Sequence, residues 1–136
     1  MKKKLILVFA LLLVFIAGCS ASAPAADREK SSPGFRQISQ EEAKEMMAKD
    51  DGHVVIDVRR QDEYDAGHIP GAILVPNESI GCDSPETLPD YDQIILIYCR
   101  TGNRSKQAAQ KLASMGYTNI YEFGGITTWT GDVVTD

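Results

Sequence analysis

The sequence predicts a single α/β domain, and three observations carry that prediction. Ile94-Ile95-Leu96-Ile97-Tyr98 is an unbroken apolar run, the pattern of a strand buried on both faces. Within a few residues it gives way to residues 106–115, which are rich in helix formers, have apolar positions at helical spacing and precede Gly116 as a C-terminal stop. The rest of the chain repeats this succession of strand and helix patterns.

In chain order, Met1-Lys2-Lys3-Lys4 is a basic start to an apolar stretch, residues 5–16, too short to prefer a permanent membrane span. Ile16-Ala17-Gly18-Cys19 resembles the lipobox of bacterial lipoproteins, whose cysteine sulfur receives a diacylglyceryl group and becomes the first mature residue. Residues 1–18 are therefore expected to be a lipoprotein signal peptide and Cys19 the lipid-bearing residue, two acyl chains being enough for stable anchoring. The alternative is an ordinary secretory signal cut near Ala21-Ser22-Ala23. The expected address is the extracytoplasmic face of a bacterial membrane, on the periplasmic side where there are two. Residues 19–34, with almost no apolar side chains beyond Cys19, read as a disordered tether reaching on the order of 50 Å when extended. Removing Lys2, Lys3 and Lys4 with the leader takes the net charge from −5 to −8. Such an acidic chain is not expected to bind nucleic acid or to carry a polybasic membrane face.

Residues 35–136 are long enough for one domain with a real core, expected to be a monomer. Phe35-Arg36-Gln37-Ile38 reads as a short edge strand. Ser39-Gln40-Glu41-Glu42 is a capping box, and the helix it opens carries Ala43, Met46 and Met47 on one side and ends around Asp50-Asp51-Gly52. The methionines read as core filler. The run from His53 to Arg59 is a strand whose C-terminal end carries Asp57 and Arg59, either a structural ion pair or part of a site, with bracing the favoured role of Asp57. His53, at the other end, reads as a solvated edge residue. Gln61-Asp62-Glu63-Tyr64-Asp65-Ala66 is a short acidic helix, and a turn with two glycines and a proline leads into Ile73-Leu74-Val75. Residues 77–80 suggest a helical turn and residues 84–90 a loop. Asn119-Ile120-Tyr121-Glu122-Phe123 is the last strand, ended by Gly124-Gly125, and Trp129 starts a short final helix or turn and packs into the core.

The chemistry concentrates in Cys99-Arg100-Thr101-Gly102-Asn103-Arg104-Ser105, between the buried strand and its helix. A strand that turns at once into a helix makes a cradle: successive N–H groups point inward and the helix N-terminus adds partial positive charge. Gly102 lets the loop curl. Such a cradle holds an anion and favours a thiolate. A cysteine of pKa ~8.5 is only about 3% thiolate at pH 7, whereas one of pKa ~6.5 is roughly 75% thiolate. Arg100, Arg104 and Lys106 form a positive patch there despite the acidic whole. No cofactor is expected; no pair of cysteines has metal-finger spacing, and His53 and His68 are far apart, so a zinc site is not expected either.

Three stretches together carry a family resemblance. Asp57-Val58-Arg59, Glu63-Tyr64 and Gly67-His68-Ile69-Pro70-Gly71-Ala72 resemble the N-terminal signature of the rhodanese (thiosulfate sulfurtransferase) family. The Cys99 loop is similar to that family's active-site loop, and Gly116-Tyr117 with Gly124-Gly125-Ile126-Thr127-Thr128-Trp129 to its C-terminal signature. The resemblance spans about residues 35–134, a single copy. It implies a three-layer α/β/α domain with a central, mainly parallel sheet and the catalytic loop at the strand C-termini. It also implies a sulfurtransferase: Cys99 attacks the outer sulfur of a small donor anion such as thiosulfate, becomes a persulfide, and yields that sulfur to a thiol or to cyanide. Arg100, Thr101, Gly102, Asn103, Arg104 and Ser105 are the expected substrate-binding residues, with Arg104 either binding donor or anchoring the loop; Asp57, Arg59 and His68 are expected in support. Related phosphatases place five residues between cysteine and arginine, whereas four separate Cys99 from Arg104, a tighter ring suited to one sulfur. Two other readings stay open, a non-catalytic binding module and a thiol redox protein pairing Cys82 with Cys99, which requires Cα atoms within about 7 Å.

The lipobox makes the first testable expectation. Metabolic labelling with a radioactive fatty acid should mark the wild-type chain and leave Cys19→Ala unmarked and released from the membrane fraction; equal labelling of the two rules out Cys19 as the acylated residue.

Overall fold

The computed structural model describes residues 34–136; the expected signal peptide, Cys19 and residues 19–33 of the tether lie outside the described residues. The elements are β1 (Arg36–Gln37), α1 (Gln40–Met47), β2 (Val54–Asp57), α2 (Gln61–Ala66), β3 (Ile73–Leu74), a 3-10 turn (Asn77–Ser79), β4 (Ile94–Cys99), α3 (Asn103–Met115), β5 (Asn119–Gly125) and a second 3-10 turn (Ile126–Thr128). The strands form one sheet in the order β1-β5-β4-β2-β3, and every ladder in it is parallel.

Alternation along β4 explains the layers. Ile95, Ile97 and Cys99 face one side of the sheet, where they pack with Ala108, Ala109 and Leu112 of α3. Leu96 and Tyr98 face the other, with Ala43 of α1 and, at the margin, Met46, Met47 and Trp129. A strand with a helix layer over each face has no polar side, which is why its sequence shows no polar positions. The chain steps from β2 out to β3, then crosses back to β4 and moves the other way to β5, so the order reverses between β2 and β4. In open parallel sheets the crevice beyond the strand C-termini at such a reversal is where ligands bind. Cys99 ends β4 beside it.

Several boundaries differ from the sequence reading. α1 stops at Met47, short of Asp50, because the Asp51 carboxylate accepts from both the N–H (3.1 Å) and the ring Nδ1 (2.7 Å) of His53. That local turn competes with further helix, and it makes His53 a held, half-buried residue where a solvated one was expected. Ser39 does cap α1, accepting from the Glu42 N–H at 3.1 Å. β5 continues through Gly124 and Gly125, its register slipping by one residue between Ile97↔Glu122 and Cys99↔Gly125. Trp129 follows the last 3-10 turn instead of starting one; it is half-buried, its indole N–H donating to the Asp132 carbonyl at 3.1 Å.

The wall of the crevice on the β2 side is held by a buried ion pair. Asp57 is 0% and Arg59 5% exposed. The guanidinium donates from Nε and Nη2 to the carboxylate (2.6 to 3.0 Å) and from Nη2 to the Gly67 carbonyl (2.7 Å). Removing one partner leaves a buried charge uncompensated, which costs about 3–5 kcal/mol. Asp57→Ala should therefore lower the unfolding free energy in urea by that order, and a loss below about 1 kcal/mol is incompatible with this bracing role.

Candidate active site

β4 delivers the Cys99 sulfur to the base of a tight turn; the residue is only 1% exposed. Gly102 makes the turn possible by adopting φ +105°, a left-handed conformation that side chains disfavour. Its N–H then points back to the sulfur at 3.0 Å. α3 starts at Asn103, three residues before the helix-former run, so Asn103, Arg104 and Ser105 are its first turn and their N–H groups belong to the positive end of the helix. Ser105 Oγ lies 3.4 Å from the sulfur.

Burial raises the pKa of the Cys99 thiol, but hydrogen bonds from the Ser105 hydroxyl and from the N–H groups of Ser105, Gly102 and Thr101 outweigh it. The thiol is held below its ordinary range, as a cradle of donors around an anion requires.

The turn is locked from two sides. On one, β5 closes against it: a side chain on Gly125 would collide with the Arg100 carbonyl, which also accepts from the N–H (3.2 Å) and hydroxyl (3.0 Å) of Thr127. On the other, Arg104 forms a bidentate pair with Glu63 of α2, Nη1 to Oε2 at 2.7 Å and Nη2 to Oε1 at 2.9 Å. Glu63 Oε2 also accepts the Arg60 N–H at 3.1 Å, tying it to the start of α2. Of the two roles open to Arg104, the geometry shows the anchor. Arg100, Thr101 and Asn103 line the exposed rim, and neither the Arg100 nor the Lys106 side chain is in any ion pair found among the described residues.

The three supporting residues stand apart from the sulfur's hydrogen-bond cluster. Asp57 and Arg59 satisfy one another, and His68, 3% exposed, stacks on Tyr64 at 3.7 Å while its backbone exchanges two 2.9 Å hydrogen bonds with Val134. Cys82 is exposed beside Gln110, Lys111, Ser114 and Met115, towards the C-terminal end of α3, whereas Cys99 sits at the N-terminal end; both thiols are free. At 1.5 Å per helical residue the two sites are on the order of 10 Å apart, too far for a disulfide. Glu122 was not expected at the site. On β5 it shares the α3-facing side with Ile120, is 2% exposed, and accepts from Ser105 Oγ at 2.6 Å and the Gly124 N–H at 2.8 Å. A charged residue at an inward position of an otherwise apolar central strand was the available signal.

The family model of the rhodanese-like domain matches residues 39–132. The chain belongs to the rhodanese-like family. Among curated proteins, this rhodanese-like chain is 36% identical over 96 residues to the thiosulfate sulfurtransferase GlpE of Pseudoalteromonas translucida (strain TAC 125), covering 70% of this chain and 89% of that one. It is 38% identical over 96 residues to GlpE of Pseudomonas entomophila (strain L48), with 70% and 84% coverage. Among solved structures, a rhodanese with anions from E. coli superposes with a TM-score of 0.57 at 31% identity, over 62% of this chain and 99% of that one. This rhodanese-like domain is an enzyme, a transferase of the sulfurtransferase type.

The Glu63–Arg104 pair sets a pH dependence. Hydrogen bonding from Arg104 outweighs burial and lowers the Glu63 carboxyl from 4.5 to about 2. A depressed carboxyl stabilises the fold above its unfolded pKa and loses that contribution as pH falls towards the folded one. Between pH 5 and pH 2 this group should remove up to about 3 kcal/mol of stability. Urea unfolding at several pH values should show that part of the slope missing in Glu63→Gln; identical slopes refute the assignment.

Proposed function

We propose that this domain transfers a sulfane sulfur from a small anionic donor such as thiosulfate to a thiophilic acceptor through a persulfide on Cys99. The observation that carries the reading is the donor set converging on one sulfur, with the Gly102 N–H at 3.0 Å and the thiol held below its ordinary range. The Cys99 thiolate attacks the outer sulfur of the donor. The bond between that sulfur and the sulfonate sulfur breaks, and sulfite leaves with the electron pair. The persulfide anion that remains is stabilised by the same N–H groups, as an oxyanion is in acyl transfer. An acceptor, a thiol or cyanide, then attacks the outer sulfur and restores the Cys99 thiolate.

The burial of Cys99 supports a slim donor, because only a terminal atom on a narrow stem reaches the base of the turn. Arg100 and Lys106, both exposed at the rim, supply charge for a dianion, while Arg104 keeps the turn in shape. A binding module with no chemistry has no use for a thiol lowered in this way, and a redox pair with Cys82 is opposed by the placement of the two cysteines at opposite ends of α3. In this reading the enzyme is a monomer that works outside the cytoplasm, tethered by lipidated Cys19; support for the tether comes from the lipobox and the basic start of the chain.

Mass spectrometry of the reduced protein after incubation with thiosulfate should show one added sulfur on the Cys99 peptide, removed again by cyanide. Cys99→Ser should lose turnover with its melting temperature nearly unchanged. No adduct on the folded protein, or an adduct on Cys82 alone, refutes Cys99 as the nucleophile.

A further inference from the structure

Ser105 has one hydroxyl hydrogen and several claimants for it. Its Oγ lies 2.6 Å from Glu122 Oε1, 3.0 Å from the Gly102 carbonyl, 3.4 Å from the Gly124 carbonyl and 3.4 Å from the Cys99 sulfur. The shortest contact is to the carboxylate. While Glu122 is ionised it takes the Ser105 hydrogen, and Ser105 can only accept from the Cys99 S–H, an arrangement that favours the thiol. When Glu122 carries a proton the chain of donors reverses: the carboxylic acid donates to Ser105, and Ser105 donates to a Cys99 thiolate.

We propose that Glu122 is a positioning residue that takes up the Cys99 proton through Ser105. The transfer is balanced: the S–H bond breaks as its proton passes to Ser105 Oγ, and the Ser105 O–H proton passes to Glu122 Oε1. The pair keeps one negative charge, which moves from carboxylate to sulfur. Burial supplies the reason. Glu122 and Cys99 are 2% and 1% exposed, and two anions separated by no more than two short contacts repel in a space from which water is largely excluded. Sharing one proton avoids that state, and such a pair titrates as a unit.

The surroundings suit the role. From β1 the neutral Gln37 amide approaches Glu122 Oε2 at 3.4 Å, from β5 the Gly124 N–H donates to Oε1 at 2.8 Å, and from α1 the neutral Gln40 amide lies near Gly124. The charged group acting on Cys99 is Arg104 of α3, already paired with Glu63 of α2 and influenced by Glu78. None of the contacts described for Glu122 is an ion pair; its partners are neutral donors.

The proposal rests on Cys99 being the nucleophile of the reaction proposed above, but its test reads the thiol itself. The rate of iodoacetamide labelling is followed from pH 4 to pH 10 by mass spectrometry of the Cys99 peptide. A proton-sharing pair gives wild type two rising steps with a plateau between, the first for the shared charge and the second for the full thiolate. Glu122→Gln and Ser105→Ala should each lose one step and titrate once. A single step in wild type overturns the proposal with no variant needed. Two steps in Glu122→Gln remove Glu122 from the titration, and two steps in Ser105→Ala exclude the route through Ser105; a mere brace would leave the number of steps unchanged. Any of these results leaves persulfide formation standing, and failure to form the persulfide leaves this titration readable.

Discussion

The Cys99 turn exists because the β5 backbone comes against it with no side chain between. At Gly125 the Arg100 carbonyl occupies the place a Cβ would take, and the one-residue slip in the β4–β5 register brings that glycine opposite Cys99. The contact does more than fill space. It fixes the end of β4 relative to β5, so that Ser105 on the first turn of α3 meets Glu122 and the Gly102 N–H meets the sulfur. Any residue other than glycine at this position pushes the Arg100 carbonyl away, and the donors lose their common focus.

Charge is handled locally. The described domain belongs to an acidic chain, yet the rim of the crevice carries Arg100 and Lys106. Unit charges near 4 Å interact by about 4 kcal/mol at an effective dielectric of 20, whereas charges more than ~8–10 Å apart are largely screened in physiological salt. In the proposed reaction a dianionic donor at the turn therefore responds to the rim and the helix N-terminus more than to the distant acidic surface. Arg104 is a different kind of arginine. With both Nη atoms on Glu63 it connects α2 to α3 across the mouth, and its charge reaches Cys99 from a fixed position. Stability and reactivity are thus linked through one residue pair.

Much of this molecule is legible in its sequence because the signals are local. The buried strand before Cys99, the Ser39 cap, the Gly116 stop and the glycine in the turn each follow from residue type and spacing over a few positions. The same holds for Cys99 itself, since strand, turn and helix patterns converge on it within a short stretch, and for the Asp57–Arg59 brace, whose partners are two residues apart. The helix and strand ends were less legible. Asp51 stops α1 through a side-chain turn, and β5 runs on through two glycines because pairing with β4 outweighs their weak strand preference.

What only the tertiary structure decided are pairings between residues far apart in the chain. Glu63 reaches Arg104 across 41 positions, turning a candidate donor-binding arginine into an anchor, and Glu122 reaches Ser105 across 17. No periodicity encodes either contact, because each depends on which strands lie side by side in the order β1-β5-β4-β2-β3 and on which face of the sheet α3 covers. The sequence by itself determined the thiol and the make-up of its loop, since the donors that meet the sulfur lie within six residues of Cys99, while the β5 contact at Gly125 holds that loop in shape. The carboxylates that meet the loop, Glu63 on α2 and Glu122 on β5, are brought there by tertiary packing, which alone puts residues distant in the chain within hydrogen-bond reach.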